Sequence, residues 1–228
     1  MHADGRERAL DVLEGEKIGG GGDGDIYRVR ISLPMETGAV EHICILKNFE
    51  IAGRSRTAAF EDAKHALSMW EQLRQVGVRT WPTYRLEKNS PTVLMSDGEP
   101  FGSLLISDNS SLSRDKINHL PPLEVENFTA AIDRAIADAK KAGEKGIYLY
   151  SDAWLCRCAV NNGRLSIDIF AGDFNESSSD DDPCVDLNLD LLKEAVGGYL
   201  KDFTRTDKDF HAYLKLFEEK ASEARIGD

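Results

Sequence analysis

The chain has 228 residues, with 28 Lys and Arg against 40 Asp and Glu, a formal net charge of −12. Hydrophobic residues make up 41% and charged residues 30%, close to globular averages of roughly 45–50% and 25%, which excludes disorder throughout and allows one sizeable core or two small lobes. A charge of this sign argues against non-specific binding to nucleic acid or to an anionic membrane, and no apolar run of about 18 residues is present to cross a bilayer.

The first residues, Met1 to Glu7, lack the apolar core of a secretory signal, so a cytoplasmic protein is expected, with non-classical export or effector delivery left open. Residues 1–15 are polar and read as a short leading helix. Glu16 to Ile31 reads as strand, glycine turn, strand, with period-two alternation over Ile26-Tyr27-Arg28-Val29-Arg30-Ile31. Residues 32–41, with Pro34 and Gly38, read as a hairpin loop. The run His42 to Lys47 is a third strand, apolar enough to expect cover on both faces. A helix is predicted over 57–76 from the spacing of Phe60, Ala63, Leu67, Trp70, Leu73 and Val76, with Gly77 ending it.

Residues 84–87 and 92–95 then flank a turn and predict a hairpin, and 96–122 is looser. A long helix is predicted over 124–142, closed by Gly143, followed by a short strand at 147–150 and an irregular segment over 152–158. Asn162-Gly163 between apolar runs is a strong hairpin signal. Two helices, about 187–203 and 207–224, finish the chain. The four cysteines (44, 156, 158 and 184) have neither zinc-knuckle spacing nor a disulfide framework and read as reduced thiols. From Leu165 to Leu192 there are eight acids and no Lys or Arg; the block over 177–182 reads as a solvated loop.

Three pieces carry chemistry. In Gly19-Gly20-Gly21-Gly22-Asp23-Gly24-Asp25-Ile26-Tyr27, glycines without Cβ atoms let a turn approach phosphate oxygens, although such a turn alone can be a plain flexible loop. Lys47 ends an apolar strand and must snorkel or find an anion. Asp152 and Asp168 each follow a short apolar stretch on either side of the Asn162-Gly163 turn, which suits a base beside a metal ligand.

In this order the pieces resemble the protein-kinase-like fold. The resemblance covers about residues 14 to 175 and implies an α+β, bilobal architecture: a β-rich nucleotide-binding N-terminal lobe over 1–95 with one main helix, and a reduced, mainly helical C-terminal lobe over 96–228. It implies that Gly19, Gly21 and Gly24 cover the phosphates of ATP and that Lys47 contacts them. It further implies that Met95 lies near the adenine, Asp168 holds Mg²⁺ and Asp152 is the base. A helix carboxylate should pair with Lys47, with Glu61 the leading candidate beside Asp62 and Glu71. The sequence departs from the family at Arg157, where a metal-binding Asn is usual, and at Ile169-Phe170 after Asp168. The expected activity is transfer of the γ-phosphoryl group of ATP to a protein hydroxyl. A pseudokinase acting as a nucleotide-binding or scaffolding module is the alternative, and AMP transfer a weaker one. The acidic segment near the site favours a neutral or basic protein partner.

Overall fold

Three long antiparallel strands open the computed structural model, which describes residues 11–21, 24–35, 38–85, 90–97, 103–106, 120–174, 177–179 and 182–226. They are β1 (Asp11–Gly21), β2 (Gly24–Met35) and β3 (Gly38–Asn48). Residues 11–15, expected in a leading helix, are strand; residues 1–10 lie outside the described residues. The expected loop over 32–41 is largely strand as well, because β2 and β3 stay in register from Asp25↔Asn48 out to Met35↔Gly38. This outer half is thinly covered: the first six residues of β3 are exposed, His42 and Ile43 among them, and the expected cover on both faces begins at Cys44, with Cys44 and Ile45 both buried.

The helix α1 (Arg56–Gln75) follows, capped at its start by the Ser55 hydroxyl, which accepts from the Ala58 amide. Its buried face is Ala59, Ala63, Ala66, Leu67, Met69 and Leu73, rotated from the predicted face so that Phe60 and Trp70 are only half-buried. Strands β4 (Thr83–Arg85) and β5 (Thr92–Ser96) complete a five-stranded sheet in the order β1-β2-β3-β5-β4. Phe49 and Val93 pack with the alanines and Leu67 of α1, and a second small cluster joins Val29, Ile31, Cys44 and Leu94.

The rest of the chain builds one larger core. That part of the chain comprises β6 (Ser103–Ile106), α2 (Val125–Glu144), β7 (Ile147–Tyr148), a 3₁₀ turn (Ser151–Ala153), β8 (Trp154–Asn161), β9 (Arg164–Ala171), β10 (Ser178–Ser179), α3 (Val185–Phe203) and α4 (Asp207–Ile226). The segment over 152–158, expected to be irregular, becomes strand at Trp154 because it pairs on both sides, with β6 and with β9. Asn162 and Gly163 both have positive φ, as the tight turn between β8 and β9 requires. Gly143, expected to end α2, lies inside it: a Cβ there would come within 2.6 Å of the Val185 backbone, so the glycine serves the close crossing of α2 and the start of α3. The protein is therefore α+β, with a β-rich antiparallel sheet and four helices among the described residues. The four cysteines form no disulfide.

The two parts are stitched at one edge. The Trp81 amide donates to the Ala171 carbonyl at 2.7 Å and the Ala171 amide donates to the Arg79 carbonyl at 3.2 Å, so the chain entering β4 runs beside the end of β9. The Trp81 indole N–H donates to the Ser96 carbonyl at 2.8 Å, fixing the end of β5 to the same seam.

Candidate functional site

Lys47 lies at this seam. Strand alternation turns its side chain to the face of the sheet that also carries Val93, its register partner on β5, and α1 covers that face. The residue is only 7% exposed, and its ammonium lies 5.3 Å from the centre of the Phe49 ring. A buried ammonium requires an anion. It finds Asp173, donating to both carboxylate oxygens at 3.0 and 2.9 Å.

The pairing differs from the expectation that a carboxylate of α1 would meet Lys47. The sheet-facing positions of α1 are alanines and Leu67, and Glu61 points outward, paired with Lys64 at 3.4 Å. Asp62 pairs with Arg54. A helix that packs this closely through alanines has no inward position for a carboxylate.

Asp168 is also placed differently. It is not at a strand end but within β9, where burial alternates through Leu165, Ile167, Ile169 and Ala171 on the opposite face. Its carboxylate accepts from Arg79 at 2.9 Å and Arg134 at 3.0 Å, and Arg157, its cross-strand partner, lies 4.0 Å away. Arg79 also donates to the Ile169 carbonyl and to Asp138, whose carboxyl burial pushes above its ordinary range against the pull of Arg79. Arg79 and Arg157 both lie against the Phe170 ring, at 5.2 and 5.3 Å. Asp168 is thus the anion of an arginine cluster and is not brought to Lys47.

Asp152 sits in the 3₁₀ turn before β8. The carbonyl of Ala153 in that turn accepts from the amides of Gly172 at 2.8 Å and Asp173 at 3.4 Å, so backbone hydrogen bonds join the segments carrying Asp152 and Asp173. Gly172 leaves room for this approach: an added Cβ would run into the Leu155 side chain and lie 3.1 Å from Trp81. The turn is anchored from below. Asn188, fully buried on α3, accepts from the Leu149 amide at 2.9 Å and donates to the Ile147 carbonyl at 2.8 Å, while the Tyr199 hydroxyl donates to the Trp154 carbonyl. Past Asp173, the Ser177 carbonyl accepts from His65 of α1 at 2.6 Å.

Of the glycines, Gly21 and Gly24 face each other across the β1–β2 turn and Gly19 pairs with Ile26, which in turn pairs with Lys47. Gly19 is therefore two strands across the sheet from Lys47 at the same register level. Gly24 passes so close to β3 that a Cβ would meet the Asn48 carbonyl at 2.7 Å, whereas one at Gly19 would touch nothing nearer than 4.0 Å. Met95 is half-buried on β5, in register with Ile45 and Thr83. Beside it Asp97 is 4% exposed and accepts from Arg28 at 2.7 Å.

A magnesium ion keeps several waters and is held by one or two carboxylates together with substrate phosphates. Asp173 fits that role: it is half-buried, beside a lysine suited to phosphate, on a segment fixed by backbone hydrogen bonds. Among the described residues no three His, Cys, Asp or Glu side chains cluster as a metal cage, so such an ion would depend on phosphate for the rest of its shell. The residue that sequence reasoning missed is therefore Asp173. The period-two pattern continuing through Ile169 and Ala171, then broken by Gly172, was the signal that the strand ended there and not at Ile167.

No family model matches the chain, and no curated protein matches it. Among solved structures it is similar to WaaP in complex with acyl carrier protein, at 11% identity over 87% of this chain and 78% of that one, with a TM-score of 0.42. No helix among the described residues is long and apolar enough to cross a membrane.

Proposed function

We propose that the protein is a kinase-like phosphotransferase that moves the γ-phosphoryl group of ATP to a hydroxyl of a neutral or basic protein. The observation that supports this best is the meeting of Lys47 and Asp173, with Asp152 on the adjoining backbone segment and Gly19 in register with Lys47 across β2. Phosphoryl transfer requires mainly positioning and charge neutralisation, so few groups suffice. Gly19, Gly21 and Gly24 let backbone amides approach the phosphates, and Lys47 holds them by charge. Ile45 and Met95 offer apolar surface to the base. Mg²⁺ held by Asp173 and the phosphates would neutralise charge on the transferring group. Asp152 orients the acceptor hydroxyl and takes its proton. The acceptor oxygen bonds to the γ-phosphorus as the bond to the β–γ bridging oxygen breaks, and ADP leaves.

A nucleotide-binding pseudokinase is the second reading, favoured by Arg157. It stands where a second metal ligand is usual, and it is committed to Asp168 and Phe170 on the outer face of β8 and β9. Incubation with labelled ATP and Mg²⁺ separates the two. Label transferred to the protein or an added substrate, and lost in Lys47→Ala and Asp152→Asn, supports transfer. A Mg·ATP-dependent thermal shift without any transfer supports the pseudokinase, and neither signal overturns both.

A further inference from the structure

We propose that the Lys47–Asp173 ion pair is a latch on the nucleotide site, which a phosphate group and a divalent cation must open together. The inference rests on the reading above and names the regulation of that site. The ammonium that would hold phosphate and the carboxylate that would hold the cation occupy each other, with both carboxylate oxygens engaged at 2.9 and 3.0 Å.

Among the described residues, Lys47 meets no second carboxylate and Asp173 no second cation. If a cation alone drew Asp173 away, Lys47 would be left 7% exposed against Phe49 and the alanines of α1. The nearby helix carboxylates do not replace it, since Glu61 is paired outward with Lys64 and Asp62 with Arg54. If phosphate alone drew Lys47 away, the Asp173 carboxylate would face phosphate oxygens with no cation between them. A cation also gains little from the protein by itself, because no cluster of three ligating side chains surrounds Asp173 among the described residues. Together the two ligands satisfy both halves at once. Each therefore strengthens the other's binding, and by linkage the factor is the same in both directions.

The test is a double-mutant cycle on ATP binding to the full chain by calorimetry, in EDTA and in Mg²⁺, with thermal unfolding confirming that each variant is folded. Asp173→Asn frees Lys47, so metal-free ATP binding should tighten by about tenfold relative to the unaltered protein. In a Lys47→Met background there is no latch to release, and Asp173→Asn should change metal-free ATP affinity by less than about twofold. Lys47→Met should in turn tighten binding of Mn²⁺, titrated alone and read by its spin resonance, by roughly tenfold. Equal tightening by Asp173→Asn in both backgrounds would mean simple charge repulsion and would overturn the latch. So would unchanged or weaker metal-free binding in the Asp173→Asn protein. ATP binding in Mg²⁺ with a failed cycle leaves the phosphotransferase reading standing, whereas no ATP binding in either buffer removes that reading and the latch with it. If Asp173→Asn does not fold, Asp173→Ser takes its place in the cycle, and the Mn²⁺ titration of Lys47→Met needs no substitution at Asp173.

Discussion

Lys47 and Asp173 come from parts of the molecule built to different standards. Asp173 and Asp152 rest on one continuous core of 31 buried residues, running from Met69 to Ala221 and tied to the turn through Asn188 and Tyr199. Lys47 rests on a sheet that, among the described residues, shares one cluster of six buried residues with α1 and holds another of four, and whose outer half, over 11–20 and 38–43, is exposed. In the proposed site this difference would hold the carboxylates in place and leave the glycine strands less constrained. The carboxylates sit on the heavily packed part, and the glycine turn sits on the thin one.

The comparison breaks first under core truncation. Phe217 is fully buried in the large core, and Phe217→Ala should lower unfolding free energy by about 3–5 kcal/mol. Leu94 is equally buried but belongs to the four-residue cluster, where neighbours collapse more readily, and Leu94→Ala should cost about 2 kcal/mol, the low end of the range. Urea unfolding followed by tryptophan fluorescence measures both; equal losses would refute the contrast.

A smaller effect separates the glycines. Gly24→Ala forces the turn away from Asn48 and should weaken Mg·ATP binding by about tenfold, while Gly19→Ala, which meets open space, should stay within about twofold. Titration calorimetry of the two variants decides it.

The smallest effect is a dependence on pH. Burial raises the Asp138 carboxyl above its ordinary 3.8, with Arg79 opposing. A raised carboxyl contributes stability that is fully present below the ordinary value and is lost as pH rises through the folded one. The stability deficit of Asp138→Asn should therefore be largest near pH 4 and shrink toward neutrality. Urea midpoints across that window check the sign, and a deficit growing with pH would contradict it.

Much of the frame was legible in the chain. The Asn162-Gly163 turn, the helix after the third strand and the lone lysine ending an apolar strand all follow from local chemistry. The longer strands were hidden because β1 and the outer part of β3 are exposed on both faces and so lack the alternation that marks a half-buried strand. The end of β9 was misplaced for a related reason. Asp168 follows Leu165-Ser166-Ile167 and looks like a strand end, but three arginines from sites remote in sequence (Arg79, Arg134 and Arg157) neutralise it and let the strand run on to Ala171. The partner of Lys47 lay 126 positions away, beyond any helical spacing that local reading could use.

The central claim is that Asp173, and not Asp168, is the carboxylate of a nucleotide site shared with Lys47. Thermal unfolding with ATP, with and without Mg²⁺, tests it on two single variants. Asp173→Ala should abolish the Mg²⁺-dependent stabilisation by ATP, while Asp168→Asn should lower the starting Tm and keep that stabilisation. Loss of the Mg²⁺-dependent shift in a folded Asp168→Asn protein, with the shift intact in Asp173→Ala, would contradict the account.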